Sequence, residues 1–270
     1  MKRPGLRVVF AALLSLGSLT TLEGAITCST AEYKGTYAFF TAGSFVQLPP
    51  SAAVLQGPFA QAGTFTSDGQ GNVAITSTAS YNGIILPAND PATYTVNSDC
   101  TIDFSLNLPP PLSVPTTFHG VLTRNNREMA LTISFPPGTV VIGTHAKMDM
   151  RFCGVDTFSG SYGIDLGGSI ASGSQAGLFR RVGRLVADGA GNFIAATLTN
   201  YNGQAVEENF SGTYTVSANC GINLTYSAGT GSSAKTITIG GYLGGHGDIA
   251  MVMVTTSGWA VSGTLKAQQP

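Results

Sequence analysis

Four cysteines, three histidines and a few carboxylates are the side chains here with chemistry of their own, and their spacing limits what that chemistry can be. Cys28, Cys100, Cys153 and Cys220 form no Cys-x-x-Cys pair, and His119, His145 and His246 lie far apart, so no zinc-type ligand set is written along the chain. Asp68-Gly-Gln-Gly-Asn72 and Asp188-Gly-Ala-Gly-Asn192 offer hard oxygen donors. Calcium, however, takes about six to eight oxygens, and each loop brings one carboxylate. A tight hairpin, with the Asp capping its own turn and glycines taking positive φ, accounts for the same residues. No Gly-x-Ser-x-Gly elbow presents a nucleophilic serine. The Gly-rich stretch from Gly240 to Gly247 has no helix behind it to cradle a phosphate and reads as a loop or bulge. These residues name no catalytic group, no metal ligand and no cofactor.

The elements that position these groups follow from composition and from a repeat. The chain has 270 residues, 43% of them hydrophobic and 10% charged. Its 35 Gly and 13 Pro are spread along the whole length, as many tight turns between short strands require. Lys2, Arg3 and Arg7 precede an apolar run from Val8 to Leu16 and a small, polar stretch ending at Gly24-Ala25, the order of a secretory signal peptide. That run is shorter than the roughly 20 residues a permanent bilayer span needs. Residues 1–25 are expected to be removed on export, and a lipoprotein reading with Cys28 as the modified residue rests on the poor match Ala25-Ile26-Thr27. Setting residues 1–25 aside removes three of 13 basic and one of 14 acidic side chains, leaving a formal charge of −3. Nothing basic enough for a nucleic-acid partner is present, and the local cluster Arg180, Arg181 and Arg184 reads as a solvated strand face.

Sliding the chain against itself by 120 positions aligns Gly57-Pro-Phe59 with Gly177-Leu-Phe179, and Asp68-Gly-Gln-Gly-Asn72 with Asp188-Gly-Ala-Gly-Asn192. It also aligns Tyr81-Asn-Gly83 with Tyr201-Asn-Gly203, Thr93-Tyr-Thr-Val96 with Thr213-Tyr-Thr-Val216, and Cys100 with Cys220. Residues 57–100 give 16 identities without a gap. The register continues downstream, placing Ala130 on Ala250, Gly138 on Gly258, Val141 on Val261 and Gly143-Thr144 on Gly263-Thr264. Upstream the offset becomes 125, placing Cys28 on Cys153 and Gly35-Thr-Tyr37 on Gly160-Ser-Tyr162, because the first copy carries five more residues around Pro49-Pro50. Two domains, 28–152 and 153–270, result. Glu207-Glu208 faces Pro87-Ala88 in the other copy, so no repeated acid pair supports acid–base catalysis.

Within a copy, apolar residues alternate with the period of two of a half-buried strand. Cys100, Ile102, Phe104 and Leu106 share one face, and so do Met129, Leu131, Ile133 and Phe135. Strands are expected near 35–42, 58–67, 71–80, 92–97, 100–108, 116–123, 128–135 and 140–150. Eight short strands with tight turns predict an all-β fold of two tandem antiparallel eight-stranded barrels, since closure leaves no exposed edge. Four Cys allow three pairings. The repeat favours Cys28–Cys100 and Cys153–Cys220, one disulfide per barrel, in the oxidising compartment an exported protein reaches. The repeated Tyr81 and Tyr201 sit beside Asn-Gly hairpin turns and could also stack on a sugar ring or meet a partner protein.

The ordered signature Gly-Thr/Ser-Tyr, Asp-Gly-x-Gly-Asn, Asn-Gly, Thr-Tyr-Thr-Val and a Cys four residues later resembles an uncharacterised class of secreted bacterial tandem-repeat proteins, common in soil-dwelling groups. The strand count more loosely resembles lipocalin-type and allene-oxide-cyclase-type barrels. That likeness implies binding of a small apolar molecule and transfers no site residue. The expected function is an exported, non-enzymatic protein, secreted, periplasmic or at the cell surface, that binds a small apolar ligand or a surface partner. One alternative is an isomerase-like barrel enzyme, which a cavity lined by a buried His or carboxylate would favour. The other is an integral outer-membrane barrel of all sixteen strands, against which short strands and four Cys argue.

Overall fold

A computed structural model describes residues 28–108, 112–123, 127–149, 151, 153–229 and 234–268. The expected signal peptide lies outside the described residues. Alternation of side chains across each strand and Gly- or Pro-bearing turns between them build two closed antiparallel barrels. The first runs β1 (Lys34–Phe45), β2 (Gly57–Asp68), β3 (Asn72–Tyr81), β4 (Ile84–Ala88), β5 (Pro91–Val96), β6 (Thr101–Asn107), β7 (Pro115–Thr123), β8 (Glu128–Phe135) and β9 (Thr139–Lys147). It closes where β9 pairs with β1, and β4 and β5 together fill one place in the ring. The second runs β10 (Ser159–Ile170), β11 (Gly177–Asp188), β12 (Asn192–Tyr201), β13 (Gln204–Val216), β14 (Gly221–Ala228), β15 (Lys235–Gly244), β16 (Ile249–Val254) and β17 (Trp259–Ala267), closing through β10 and β17. Seventeen strands, with β4 and β5 sharing one place, thus form two rings of eight places each, not the single membrane-type barrel kept as an alternative. Among the described residues no helix is long and apolar enough to cross a membrane.

The two copies differ in the place that β4 and β5 share. In the second copy it is one unbroken strand, β13, of 13 residues. In the first, Pro87 and Pro91 stand where Glu207 and Ser211 stand, and proline contributes no ladder N–H. The ladder lapses at Asn89-Asp90, where Asn89 Oδ1 accepts a hydrogen bond from the Ser77 amide at 3.3 Å. Residues 84–88, with no polar alternation, were not among the expected strands.

Repeat-equivalent residues occupy equivalent places. Tyr94 Oη donates to the Tyr33 carbonyl at 2.8 Å and Tyr214 Oη to that of Phe158 at 2.6 Å. The disulfides are Cys28–Cys100 and Cys153–Cys220, each with Cα atoms 5.0 Å apart. The first commits the Cys28 sulfur, leaving no thiol there for a lipid. Asp68 Oδ1 accepts from the amides of Gln70 and Asn72, and Asp188 Oδ1 from those of Ala190 and Asn192, so both loops are capped hairpins. One alignment shifts. Leu122 pairs with Met129 while Leu243 pairs with Ala250, so across β8 and β16 the offset is 121 and Ala130 matches Met251. Phe135 is also not on the inner face. An extra residue, Ser134, in the β7–β8 pairing turns it outward, and it is 43% exposed.

The barrels share a wall. The outer faces of β1 and β2 bring Ala38, Ala60 and Ala62 against β16 and β17. Every residue from Ala250 to Val254 and from Trp259 to Leu265 is therefore buried, one face by its own barrel and the other by its neighbour. Ser262 Oγ donates to the Thr41 carbonyl at 2.9 Å, Ser80 Oγ to that of Trp259 at 2.6 Å, and the Gly258 amide to that of Gly83 at 2.8 Å. Gly83 takes φ +83°, and a Cβ there would meet Gly258 Cα at 2.7 Å, so this Asn-Gly turn is also a docking point between barrels.

Candidate functional site

Although the copies share a backbone, their interiors differ. Inward positions of the second barrel carry Arg181, Thr199, Tyr201, Glu208 and Tyr226, where the first carries Gln61, Ala79, Tyr81, Ala88 and Leu106. Arg181 is not on a solvated face as expected. It is 2% exposed and points into the barrel on the same side of β11 as Phe179 and Leu185. Its Nε donates to Thr199 Oγ1 at 2.9 Å, Nη1 to Tyr226 Oη at 2.6 Å, and Nη2 to Glu208 Oε2 at 2.7 Å and to Tyr201 Oη at 3.3 Å. The rings of Phe179, Phe210 and Tyr226 lie 5.0–5.7 Å from the guanidinium carbon. A paired, well-bonded charge thus occupies the centre of the second barrel, whose buried apolar residues form one continuous cluster with Trp259 against Phe179. Arg180 pairs with Asp165 at 2.6 Å, and Arg184 bonds Ser161 at 2.7 Å, both on the surface.

The first barrel's core is split. One cluster gathers Tyr33, Tyr37, Phe65, Tyr94 and Phe104 at one end. The other gathers Phe45, Phe59 and Tyr81 beneath a 3-10 turn, Pro50–Leu55, that buries Ala52 and Leu55. The five extra residues of the first copy contribute to this turn's connection. Between the clusters lies a cavity of about 80 Å³, lined by residues of both, including Phe39, Phe118, Leu131 and Ile133. Few polar side chains face it. Thr41 Oγ1 donates to Gln61 Oε1 at 3.1 Å, and Gln61 Nε2 to Ser77 Oγ at 2.8 Å, so these groups satisfy one another.

Asp90 differs from them. It continues the inward phase of Ala92, Tyr94 and Val96, is 7% exposed, and lines the cavity. Its carboxylate has no hydrogen-bond or ion-pair partner among the described residues. Burial raises its pKa above the ordinary aspartate value, and its charge adds to the burial that pushes up the Tyr81 phenol. The second barrel has Phe210 at this position. Sequence reasoning missed both Asp90 and the Arg181–Glu208 pair, although the period of two places all three on inner faces.

The histidines stay apart. His119 meets Asp103 at 2.7 Å on the surface, and His246 lies 3.6 Å from Asp149. His145 is fully buried among Tyr33, Tyr37 and Phe65, with Nδ1 3.4 Å from Tyr33 Oη and Nε2 without a partner. Burial lowers its pKa from 6.5 to about 3. Among the described residues no three His, Cys, Asp or Glu side chains gather as a metal site would require.

No protein family and no curated protein matches the chain. A solved structure similar to it is that of the Myxococcus xanthus hemagglutinin in complex with a3,a6-mannopentaose, at 12% identity and a TM-score of 0.18, covering 84% of this chain and 98% of that one. At that superposition the likeness transfers neither fold nor ligand.

Proposed function

We propose that the chain is an exported binding protein whose first barrel receives a small, largely apolar molecule, while the second barrel serves as its filled structural partner. The observation that carries this reading is the cavity dividing the first barrel's core, where the same strands in the second copy enclose an arginine network. Native interiors pack densely with few voids larger than a water, so a cavity kept in one copy of a duplicated fold marks a site. Export agrees with the N-terminal segment and with one disulfide per barrel, which an oxidising compartment maintains. The isomerase-like alternative gains a buried carboxylate in Asp90. Proton transfer also needs a group that returns the proton near neutral pH. The titratable neighbour, Tyr81, is pushed upward and away from that range.

Xenon, which enters dry apolar cavities, tests the reading. Amide shifts under xenon pressure should saturate at β2, β3 and β8. They should vanish in Leu106→Tyr, which installs the second copy's Tyr226 and fills the space. Native mass spectrometry showing no retained molecule, together with no xenon response, would remove the small-ligand reading.

A further inference from the structure

We propose that the first barrel's cavity is a receptor for a small organic ammonium ion, with Asp90 as its counter-ion and the surrounding aromatic rings as its sheath. This rests on the cavity being a binding site and names the chemistry of its occupant.

Asp90 is more than nine-tenths buried, faces the cavity, and meets no hydrogen-bond or ion-pair partner among the described residues. An unpaired buried carboxylate is costly, and proteins normally answer one with a cation or with backbone donors. The second copy illustrates the internal answer, since Glu208 is held by Arg181. In the first copy the arginine is replaced by Gln61, whose amide is committed to Ser77, and the acid stands one inward position further along the strand. The fold thus omits the internal cation yet keeps a carboxylate facing the space. Phe45, Phe59, Phe65, Tyr81, Phe104 and Phe118 supply ring surfaces around it, and ring faces attract cations while apolar walls accept an alkyl stem. A carboxylate ligand would meet Asp90 with like charge and is excluded by the same geometry. Benzene fits a cavity of about 150 Å³. By proportion, a cavity of about 80 Å³ suits a head of about three or four heavy atoms, the size of propylammonium.

The test is titration of the full-length exported chain with propylammonium, 1-propanol and propionate, followed by amide shifts and calorimetry. Propylammonium should bind at least about tenfold more tightly than propanol, a difference of about 1.4 kcal/mol, and propionate should not bind. Asp90→Asn should bring propylammonium down to the level of propanol. In the wild type its affinity should fall as the pH is lowered and Asp90 takes up a proton, while propanol binding stays level. That pH titration holds the proposal to account even where the variant folds poorly. Equal binding of propylammonium and propanol, insensitive to pH, overturns the ammonium assignment and leaves the binding cavity standing. Failure of all three probes and of xenon overturns both.

Discussion

Lowering the pH should weaken the first barrel through His145, and the size of the effect follows from its burial. Folded, the imidazole titrates at about 3; unfolded, it returns to 6.5. The folded pKa is depressed, so between those values the unfolded chain binds a proton that the folded chain refuses, and stability falls as pH falls. Each pH unit inside the window costs about 1.4 kcal/mol, so moving from pH 7 to pH 4.5 should remove about 2.6 kcal/mol through this residue. His145→Leu isolates the effect, because the second barrel carries Leu265 at the same position of its last strand. Urea unfolding followed by far-UV circular dichroism at the two pH values should show the wild type losing about 2.6 kcal/mol more than His145→Leu, with the carboxylates common to both cancelling. Trp259, the single tryptophan, lies on the wall between the barrels with its carbonyl bonded to Ser80 of the first, and its fluorescence should register the difference as well. The same pH slope in both proteins would refute the claim that the imidazole is held neutral by its burial.

Three further outcomes follow from the interiors. Asp90→Asn should raise the thermal midpoint at neutral pH: the native pKa is raised, so ionisation opposes folding as pH climbs, and the gain should fade below about pH 4, where both states are protonated. Arg181→Met should cost the second barrel about 2–3 kcal/mol by stranding Glu208, and adding Glu208→Leu should recover most of it; Trp259 fluorescence during urea unfolding reads both. Replacing Cys28 and Cys100 together by Ser should cost up to about 4 kcal/mol in the chain-entropy account for a loop of 72 residues, measured by the urea midpoint.

The duplication and the strand periods were legible because each copy repeats its turn chemistry, Asp-Gly-x-Gly-Asn and Asn-Gly, between runs that alternate strictly. Ile102, Phe104 and Leu106 are buried as their spacing implies. What escaped was local disagreement with that pattern. Ile84-Ile85-Leu86-Pro87 has neither alternation nor a free amide at its proline, so only pairing with β3 makes it a strand. Arg181 follows Arg180 and lies three residues before Arg184, and its charge argued for solvent, whereas its phase with Phe179 and Leu185 argued for the interior; packing decided. Phe135 failed in the opposite sense, since one extra residue reverses every side chain beyond it. The cavity itself depends on what Gln61, Ala88 and Leu106 leave vacant together, a sum over distant strands that no single segment carries.

The wall between the barrels makes the halves poor candidates for separate expression. Cut away from its neighbour, the second ring would present Met251, Met253 and Ala260 to water as a flat apolar stripe, a surface prone to self-association. A nick in the short crossing from Lys147 to Ser159 should therefore leave the fragments clasped, and any loosening of one ring should be felt by the other through the Gly83–Gly258 contact.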